Sequence, residues 1–265
     1  MRIATYNVNS LGARLELVLQ WLRARQPDVV CVQELKLEDA AFPHAALEGD
    51  GYAAFTHGQQ AWNGVAILVR KAAFDTPVEV VQRGLPGQED FGARLVSVRV
   101  GEWLATSVYV PNGKTIAHAD FPRKLAFLDS LAEHLAQTHA AHPGPAVVGG
   151  DFNLCPRDLD SWDPAGHAGH IFHTDDERSR FGAILERGMV HDLFRRVSPT
   201  EQAFSWWDYR GGCFHKKMGL RIDFLLGNEA VAARTTSVVV DREWRKKKGD
   251  LVPSDHAPVV AEIGA

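Results

Sequence analysis

Acids, amides and one imidazole stand at the ends of apolar runs, where side chains of these types could carry out metal-assisted chemistry on a phosphoester. Ala146 to Asn153 reads Ala-Val-Val-Gly-Gly-Asp-Phe-Asn, so Asp151 and Asn153 emerge at its end, with two glycines that allow close approach. Met1 to Asn9 carries Asn7, and Val29 to Lys36 carries Glu34 in Val-Val-Cys-Val-Gln-Glu-Leu-Lys. Leu104 to Gly113 ends in Tyr-Val-Pro-Asn-Gly, with Tyr109 and Asn112. Arg221 to Leu226 encloses Asp223, and Ser-Asp-His-Ala-Pro, with Asp255 and His256, opens the last apolar run, Val259 to Ile263. Polar groups set in apolar strands are expensive unless paired or ligating something. Glu34, Asp151 and Asp255, with the amide oxygens of Asn7 and Asn153, form an all-oxygen set suited to a hard divalent cation, Mg²⁺ or Mn²⁺, and not to zinc. Magnesium takes few protein carboxylates, so some of these acids must do other work. His256, oriented by an acid such as Asp223, could hydrogen-bond a phosphate oxygen. Together they are parts for phosphodiester hydrolysis: countercharge for the phosphoryl group, a group that aligns water, and donors for the developing charge.

Each residue also has a plainer role. Asn7 and Asn112 could satisfy turns, Tyr109 could pack as a hydrophobe, Asp223 could pair with Arg221, and His256 could be a satisfied core histidine. Their joint occurrence favours chemistry.

The elements that must position them follow from periodicity. Leu15, Val18, Leu19 and Leu22 recur at helical spacing ahead of Pro27. From Gly51 to Val110 the pattern changes to strands, at Tyr52–Thr56, Gly64–Arg70, Val78–Gln82, Arg94–Val100 and Trp103–Val110, which predicts an antiparallel meander. Asp120 is expected to cap the next helix, with Leu125, Leu128, Leu131 and Leu135 on its apolar face. Thr174 and Glu177 stand at capping-box spacing, and Gly188 closes the helix that they open. Strands are expected at Phe204–Tyr209, Ile222–Leu226, Thr236–Val240 and Val259–Ile263. The reading is an α/β fold, a four-layer α/β/β/α sandwich of two packed mixed sheets with flanking helices, in one domain over residues 1–265. Polar strand ends of both sheets would meet at one rim.

With 45% apolar residues the chain can bury a sizeable core. No stretch approaches the roughly 18 consecutive apolar residues of a membrane span, and strand-like sequence from Arg2 leaves no room for a signal peptide. Three widely spaced cysteines argue against a disulfide framework or a structural zinc site, so a reducing, cytoplasmic setting, no membrane association and a monomer are expected. The net charge of −4 is unusual for a nucleic-acid binder, but a bound cation would neutralise the clustered acids.

Taken in order, Tyr-Asn-Val-Asn-Ser, Val-Gln-Glu-Leu-Lys, Asn63-Gly64-Val65-Ala66-Ile67, Tyr-Val-Pro-Asn-Gly, Gly-Asp-Phe-Asn, Ser205-Trp206-Trp207-Asp208-Tyr209-Arg210, Leu-Arg-Ile-Asp and Ser-Asp-His-Ala-Pro make the sequence resemble the exonuclease III family of AP endonucleases, within the endonuclease/exonuclease/phosphatase superfamily that includes DNase I. The resemblance runs nearly end to end. It implies the four-layered sandwich and Mg²⁺-dependent cleavage of double-stranded DNA 5′ to abasic sites, often with 3′-to-5′ exonuclease and 3′-phosphatase activity. By position it makes Glu34 the principal metal ligand with Asn7 and Asp255 beside it, and Asp151 the residue that activates or aligns water. Asn153 orients that water and the phosphate, His256 held by Asp223 binds phosphate, and Tyr109 lies near the scissile bond.

The resemblance also puts Trp206 and Trp207 against the abasic sugar or an unstacked nucleotide, with core packing favoured for one of the two, and includes Tyr209 in the DNA contact. The chain departs from the family pattern at Leu35, where Thr or Ser is usual. It departs again at His167, His170 and His173, a segment expected as a loop over the DNA groove or, less simply, as transition-metal ligands. The basic run Arg242 to Lys248, with Lys246, Lys247 and Lys248, is either a solvated loop or a contact to the DNA backbone. These departures could shift the substrate preference away from abasic sites and toward 3′-end processing. The competing reading is a superfamily phosphoesterase acting on RNA ends, phosphoinositides or sphingomyelin; a catalytically dead binding module is disfavoured because the core polar positions are filled.

Overall fold

The structure, a computed structural model, describes residues 1–264. Strands β1 (Arg2–Asn7), β2 (Val29–Gln33), β3 (Tyr52–His57) and β4 (Val65–Arg70) are followed by β5 (Val78–Arg83), β6 (Leu95–Val100), β7 (Trp103–Tyr109) and β8 (Ala146–Asp151). Then come β9 (Val190–Asp192), β10 (Asp223–Asn228), β11 (Thr235–Val240) and β12 (Val259–Ile263). The helices are α1 (Leu11–Arg25), α2 (His44–Gly49), α3 (Asp120–Ala140), α4 (Pro164–His167), α5 (Asp175–Arg187), α6 (Leu193–Val197) and α7 (Glu229–Ala232). The strands form two six-stranded sheets, in the orders β11-β12-β1-β2-β4-β3 and β5-β6-β7-β8-β10-β9. Both are mixed: β1 runs parallel to β2 and β7 parallel to β8, while the other pairings are antiparallel.

Strand alternation builds the layers. Ile3, Val29, Cys31 and Ile67 of the first sheet face Val96, Val98, Ala105, Val147 and Leu225 of the second, making the core between them. Their neighbours Ala4, Tyr6, Val30, Val32 and Leu68 point outward onto Leu17, Val18, Trp21 and Leu22 of α1. A lone helix of about 15 residues is marginal in water. Burial of these side chains, about 1.5–3 kcal/mol each, therefore holds α1 in place. On the far side, Val108, Val148, Phe224 and Leu226 pack on Phe127, Leu128, Leu131 and Leu135 of α3 and on Phe181 and Ile184 of α5. The expected four-layer α/β/β/α sandwich is the observed one.

Several local expectations are corrected. The meander divides: β3 and β4 belong to the first sheet and β5 to β7 to the second. Phe204–Tyr209 is no strand and pairs only through bridges of Trp206 with Leu220 and with His256. Asp120 is the first residue of α3 and makes no side-chain cap; its carboxylate pairs with Lys114 at 2.9 Å. The glycines do not end β8, which continues to Asp151. Gly149 faces the other sheet, where a Cβ would lie 2.8 Å from that of Cys31, so its bareness serves the close approach of the two sheets rather than a ligand. The Thr174–Glu177 capping box of α5 is present, and Gly188 closes that helix.

Candidate active site

Strand register brings the polar ends together. In the parallel pair β1/β2, Asn7 lies beside Gln33, which puts Glu34 one residue beyond it at the same rim. In the parallel pair β7/β8, Tyr109 lies beside Asp151, and antiparallel β10 starts with Asp223 opposite Asp151. His256 precedes β12 and bridges to Trp206. Asn9, Glu34, Lys36 and Asn153 all adopt left-handed φ, between 45° and 54°. Such conformations are unfavourable for residues with a Cβ and persist where surrounding contacts enforce them.

Glu34, Asp151 and His256 offer ligand atoms that all lie within 4.8 Å of one another, the group of this kind found among the described residues. Asn7 Nδ2 donates to Glu34 Oε1 and to Asp151 Oδ2, both at 2.9 Å. Tyr109 OH donates to Glu34 Oε1 at 3.0 Å, and Lys36 Nζ lies 2.9 Å from Glu34 Oε2. His256 Nδ1 meets the Asp223 carboxylate at 2.9 and 3.1 Å, and its Nε2 lies 3.8 Å from Asp151 Oδ2. Asn153 gives its backbone N–H to Asp151 Oδ1 at 2.9 Å and its side-chain Nδ2 to Val110 O at 3.0 Å, while Asn112 Nδ2 donates to Asn153 Oδ1 at 3.3 Å. Ser254 Oγ donates to Asn7 O and accepts from His256 N, which ties the last polar motif to the first strand.

Burial and charge divide the acids into two kinds. Desolvation, with the charges of Asp223 and Glu34, pushes Asp151 up to about 8, although His256 acts against the rise. Burial also works on Glu34, yet the hydrogen bond from Asn7 and the charge of Lys36 outweigh it and hold Glu34 below the usual carboxylate range. Burial disfavours the His256 imidazolium, but Asp223 and then Asp151 overcome it and raise the group to about 10. Tyr109 is held well above the ordinary phenol by burial and by the charges of Glu34 and Asp151. A buried acid that keeps its proton beside a second carboxylate is a place where a dication fits, because metal charge can replace that proton. Glu34 and Asp151 are the carboxylates that would hold it, and when bound it would supply charge to polarise a phosphoryl oxygen. His256 then stands as a positive donor held by Asp223, and Asp151 as an acid whose ionisation can be switched at neutral pH.

The other sequence-derived residues are placed beside or away from these acids. Asn7 turns its amide nitrogen, not its oxygen, toward the acids, because its Oδ1 accepts from Asn9 N at 3.0 Å. Asn153 Oδ1 is engaged by Asn112. Asp255 accepts from Asn9 at Oδ1 and from Trp206 Nε1 at Oδ2, both at 2.9 Å. Trp207 is buried at 1% exposure, so core packing removes it from any DNA contact; half-buried Trp206 remains beside the site. Arg221, proposed as a partner for Asp223, instead pairs with Asp160 and Asp192 at 2.7 Å each.

Tyr209 is exposed, donates to Pro253 O at 2.6 Å and accepts from Arg14. Lys246 is paired with Glu243 at 2.5 Å and Lys248 lies over the Trp244 ring, which leaves Lys247 the freest of the three lysines. His167 and His173 stack with ring centroids 5.0 Å apart and belong to no metal-compatible group among the described residues. Leu35 is buried, its N–H donating to Gly64 O at 3.1 Å.

Lys36, Arg94, Asn9 and Lys124 also border these groups. Lys36 belongs to the Gln-Glu-Leu-Lys run, two residues from the acid it touches. Arg94, whose guanidinium stacks over the Tyr109 ring at 4.7 Å, left no signal in the sequence.

A two-sheet sandwich with carboxylates and a charged imidazole converging at one rim defines a phosphoester-hydrolase type of fold and site. Residues 4–256 match the endonuclease/exonuclease/phosphatase family, and the chain belongs to it. It is 33% identical to the exodeoxyribonuclease III of Haemophilus influenzae, across 99% of this chain and 100% of that one, and it is a nuclease of the exonuclease III group. A 3′ phosphatase from Neisseria, NExo, solved with a product DNA hairpin, superposes with a TM-score of 0.93 at 37% identity, covering 100% of both chains. An AP endonuclease from Archaeoglobus fulgidus gives 0.92 at 31% identity, again over 100% of both. No helix among the described residues is long and apolar enough to cross a membrane.

Proposed function

We propose that this protein is a Mg²⁺-dependent DNA repair nuclease, with Mn²⁺ as a substitute ion, that hydrolyses phosphoesters of double-stranded DNA at abasic sites or 3′ ends. It acts as a monomeric single domain of residues 1–265 in the cytoplasm. The observation that carries this reading is the convergence of Glu34, Asp151 and His256 within 4.8 Å, with Asp223 behind the imidazole. Asp151 aligns water and accepts its proton, and Asn153 holds Asp151 through its backbone N–H. His256, charged by Asp223, binds a phosphate oxygen. Tyr109, whose hydroxyl already donates to Glu34, lies close to the leaving oxygen. Trp206 and Tyr209 offer aromatic surface to the nucleotide next to the scissile bond.

Within that reading, 3′-end processing is favoured over abasic-site incision. The relatives at 37% identity are described as a 3′ phosphatase and a 3′-5′ exonuclease, against 31% for the AP endonuclease.

End-labelled duplexes carrying a 3′-phosphate, an intact 3′ end or an abasic analogue, each incubated with Mg²⁺ and then with EDTA, test this. Release of the 3′-phosphate that EDTA abolishes is expected, with slower cutting at the abasic analogue. Inactivity on all three duplexes, together with hydrolysis of RNA ends or a phosphoinositide, would overturn the assignment.

A further inference from the structure

We infer that Lys124, paired with Glu177, is a positioning residue for the hydrolysis: its ammonium holds the Asn112 and Asn153 loops in the arrangement the reacting phosphate requires. The inference rests on the phosphoesterase reading of the rim and adds a residue that lies beneath it. Lys124 is on the apolar face of α3, among Phe121, Phe127, Leu128 and Leu131, and both it and Glu177 are 0% exposed. An ammonium has three N–H donors and no acceptor. All three are used here: one on Asn153 O at 2.6 Å, one on Asn112 O at 3.3 Å and one on Glu177 Oε1.

Glu177 in turn accepts from Phe172 N at 3.1 Å, from Thr174 N at 3.1 Å and from Thr174 Oγ1 at 2.8 Å. The capping-box glutamate of α5 is therefore also the counterion of a lysine on α3. One ion pair joins three loops, Asn112–Lys114, Asn153–Cys155 and Phe172–Thr174, of which the first two carry residues of the site. The first of these lies directly on the lysine stem. Gly113 has φ 86°, and a Cβ there would come within 3.0 Å of Lys124 Cδ and 3.1 Å of Ile171 Cδ1.

Stability alone does not explain this arrangement, because a buried ion pair is commonly no better than an apolar filling of the same volume. What the charge adds is direction. Asn153 is held at φ 50° from both sides, its N–H by Asp151 and its C=O by Lys124. The same ammonium fixes the carbonyl of Asn112, whose side chain orients the Asn153 amide. Displacements of about 1 Å at reacting groups cost on the order of 100-fold in rate.

The test compares wild type with Lys124→Met and with Lys124→Met/Glu177→Gln. The single variant strands a buried carboxylate, so its Tm should fall. The double variant removes both charges and keeps a glutamine able to complete the capping box, so its Tm should recover. For the double variant, kcat for 3′-phosphate release should fall by about 10- to 100-fold with KM within about twofold of wild type. Backbone amides of residues 112–115 and 153–155 should also exchange with D₂O faster. A folded double variant with wild-type loop protection overturns the inference, whether or not its turnover changes. Faster loop exchange with wild-type kcat also overturns it. A wild-type protein that cleaves no DNA phosphoester would sink the functional reading and this inference with it, whereas wild-type loop protection in an active enzyme sinks the inference alone.

Discussion

Titration of Asp151 makes metal affinity depend on pH in a way that can be worked out beforehand. The carboxyl lies at about 8 because it is buried near Asp223 and Glu34. A group titrating there is about 0.9 protonated near pH 7 and about 0.1 protonated near pH 9. A dication bound between Glu34 and Asp151 replaces that proton, so Mg²⁺ binding near pH 7 should release most of one proton and tighten by up to about tenfold per pH unit, levelling off once the carboxyl is ionised. The sign for stability is consistent with this. A folded-state pKa raised above the unfolded value means that the native state carries the extra proton between about pH 4 and pH 8. Metal-free protein therefore loses stability across that window, by up to about 1.4 kcal/mol per pH unit, and Mg²⁺ restores progressively more of it as pH rises. Calorimetric titration with MgCl₂ in two buffers of different ionisation enthalpy reads the proton count directly, and Asp151→Asn is the control in which linkage from this carboxyl disappears. Identical heats in both buffers near pH 7, with an affinity that does not change from pH 6 to pH 8, would refute the placing of the dication against a protonated Asp151.

Other outcomes follow from the same geometry. Asp223→Asn removes the largest influence raising His256, so the imidazole resonance followed by NMR should titrate well below its wild-type position. Turnover on a 3′-phosphate should fall by roughly 100-fold or more, and an unshifted His256 titration would dissociate the pair. Among the basic-loop lysines, Lys247→Ala should reduce the salt dependence of DNA binding by up to about 0.9 log units per lost phosphate contact. Lys246→Ala and Lys248→Ala should do less, being held by Glu243 and Trp244; equal slopes for all three in anisotropy titrations would count against this ranking.

Motifs that depend on neighbours in the chain were readable from the sequence. The Thr174–Glu177 box and the apolar strands ending in Asn7, Tyr109 and Asp151, with Glu34 one residue past the end of β2, appear where periodicity puts them. Features set by distant partners were not. Nothing local tells Trp206 from Trp207, yet one donates to Asp255 while the other is buried in the interior. The break between β4 and β5 is a choice between two sheets, which the turn at Phe74–Pro77 does not encode. β9 spans three residues, too few to display alternation. The antiparallel placing of Asp223 opposite Asp151 pairs it with His256 and leaves Arg221 to Asp160 and Asp192. Lys124 had a usable signal: it falls on the stripe of Phe121, Leu128 and Leu131, and a charge on an apolar stripe calls for a buried partner.

The proposed catalytic set is divided between two plates. Asn7 and Glu34 are carried by one sheet, while Tyr109, Asp151 and Asp223 are carried by the other. Ties such as Gln33 Nε2 to Ser107 Oγ, at 3.1 Å, and the close seat of Gly149 over Cys31 fix how far one plate can slide along its mate. The enzyme's working gap is thus a mechanical joint, and its alignment can be tuned from the middle of the sandwich by side chains that never meet the substrate.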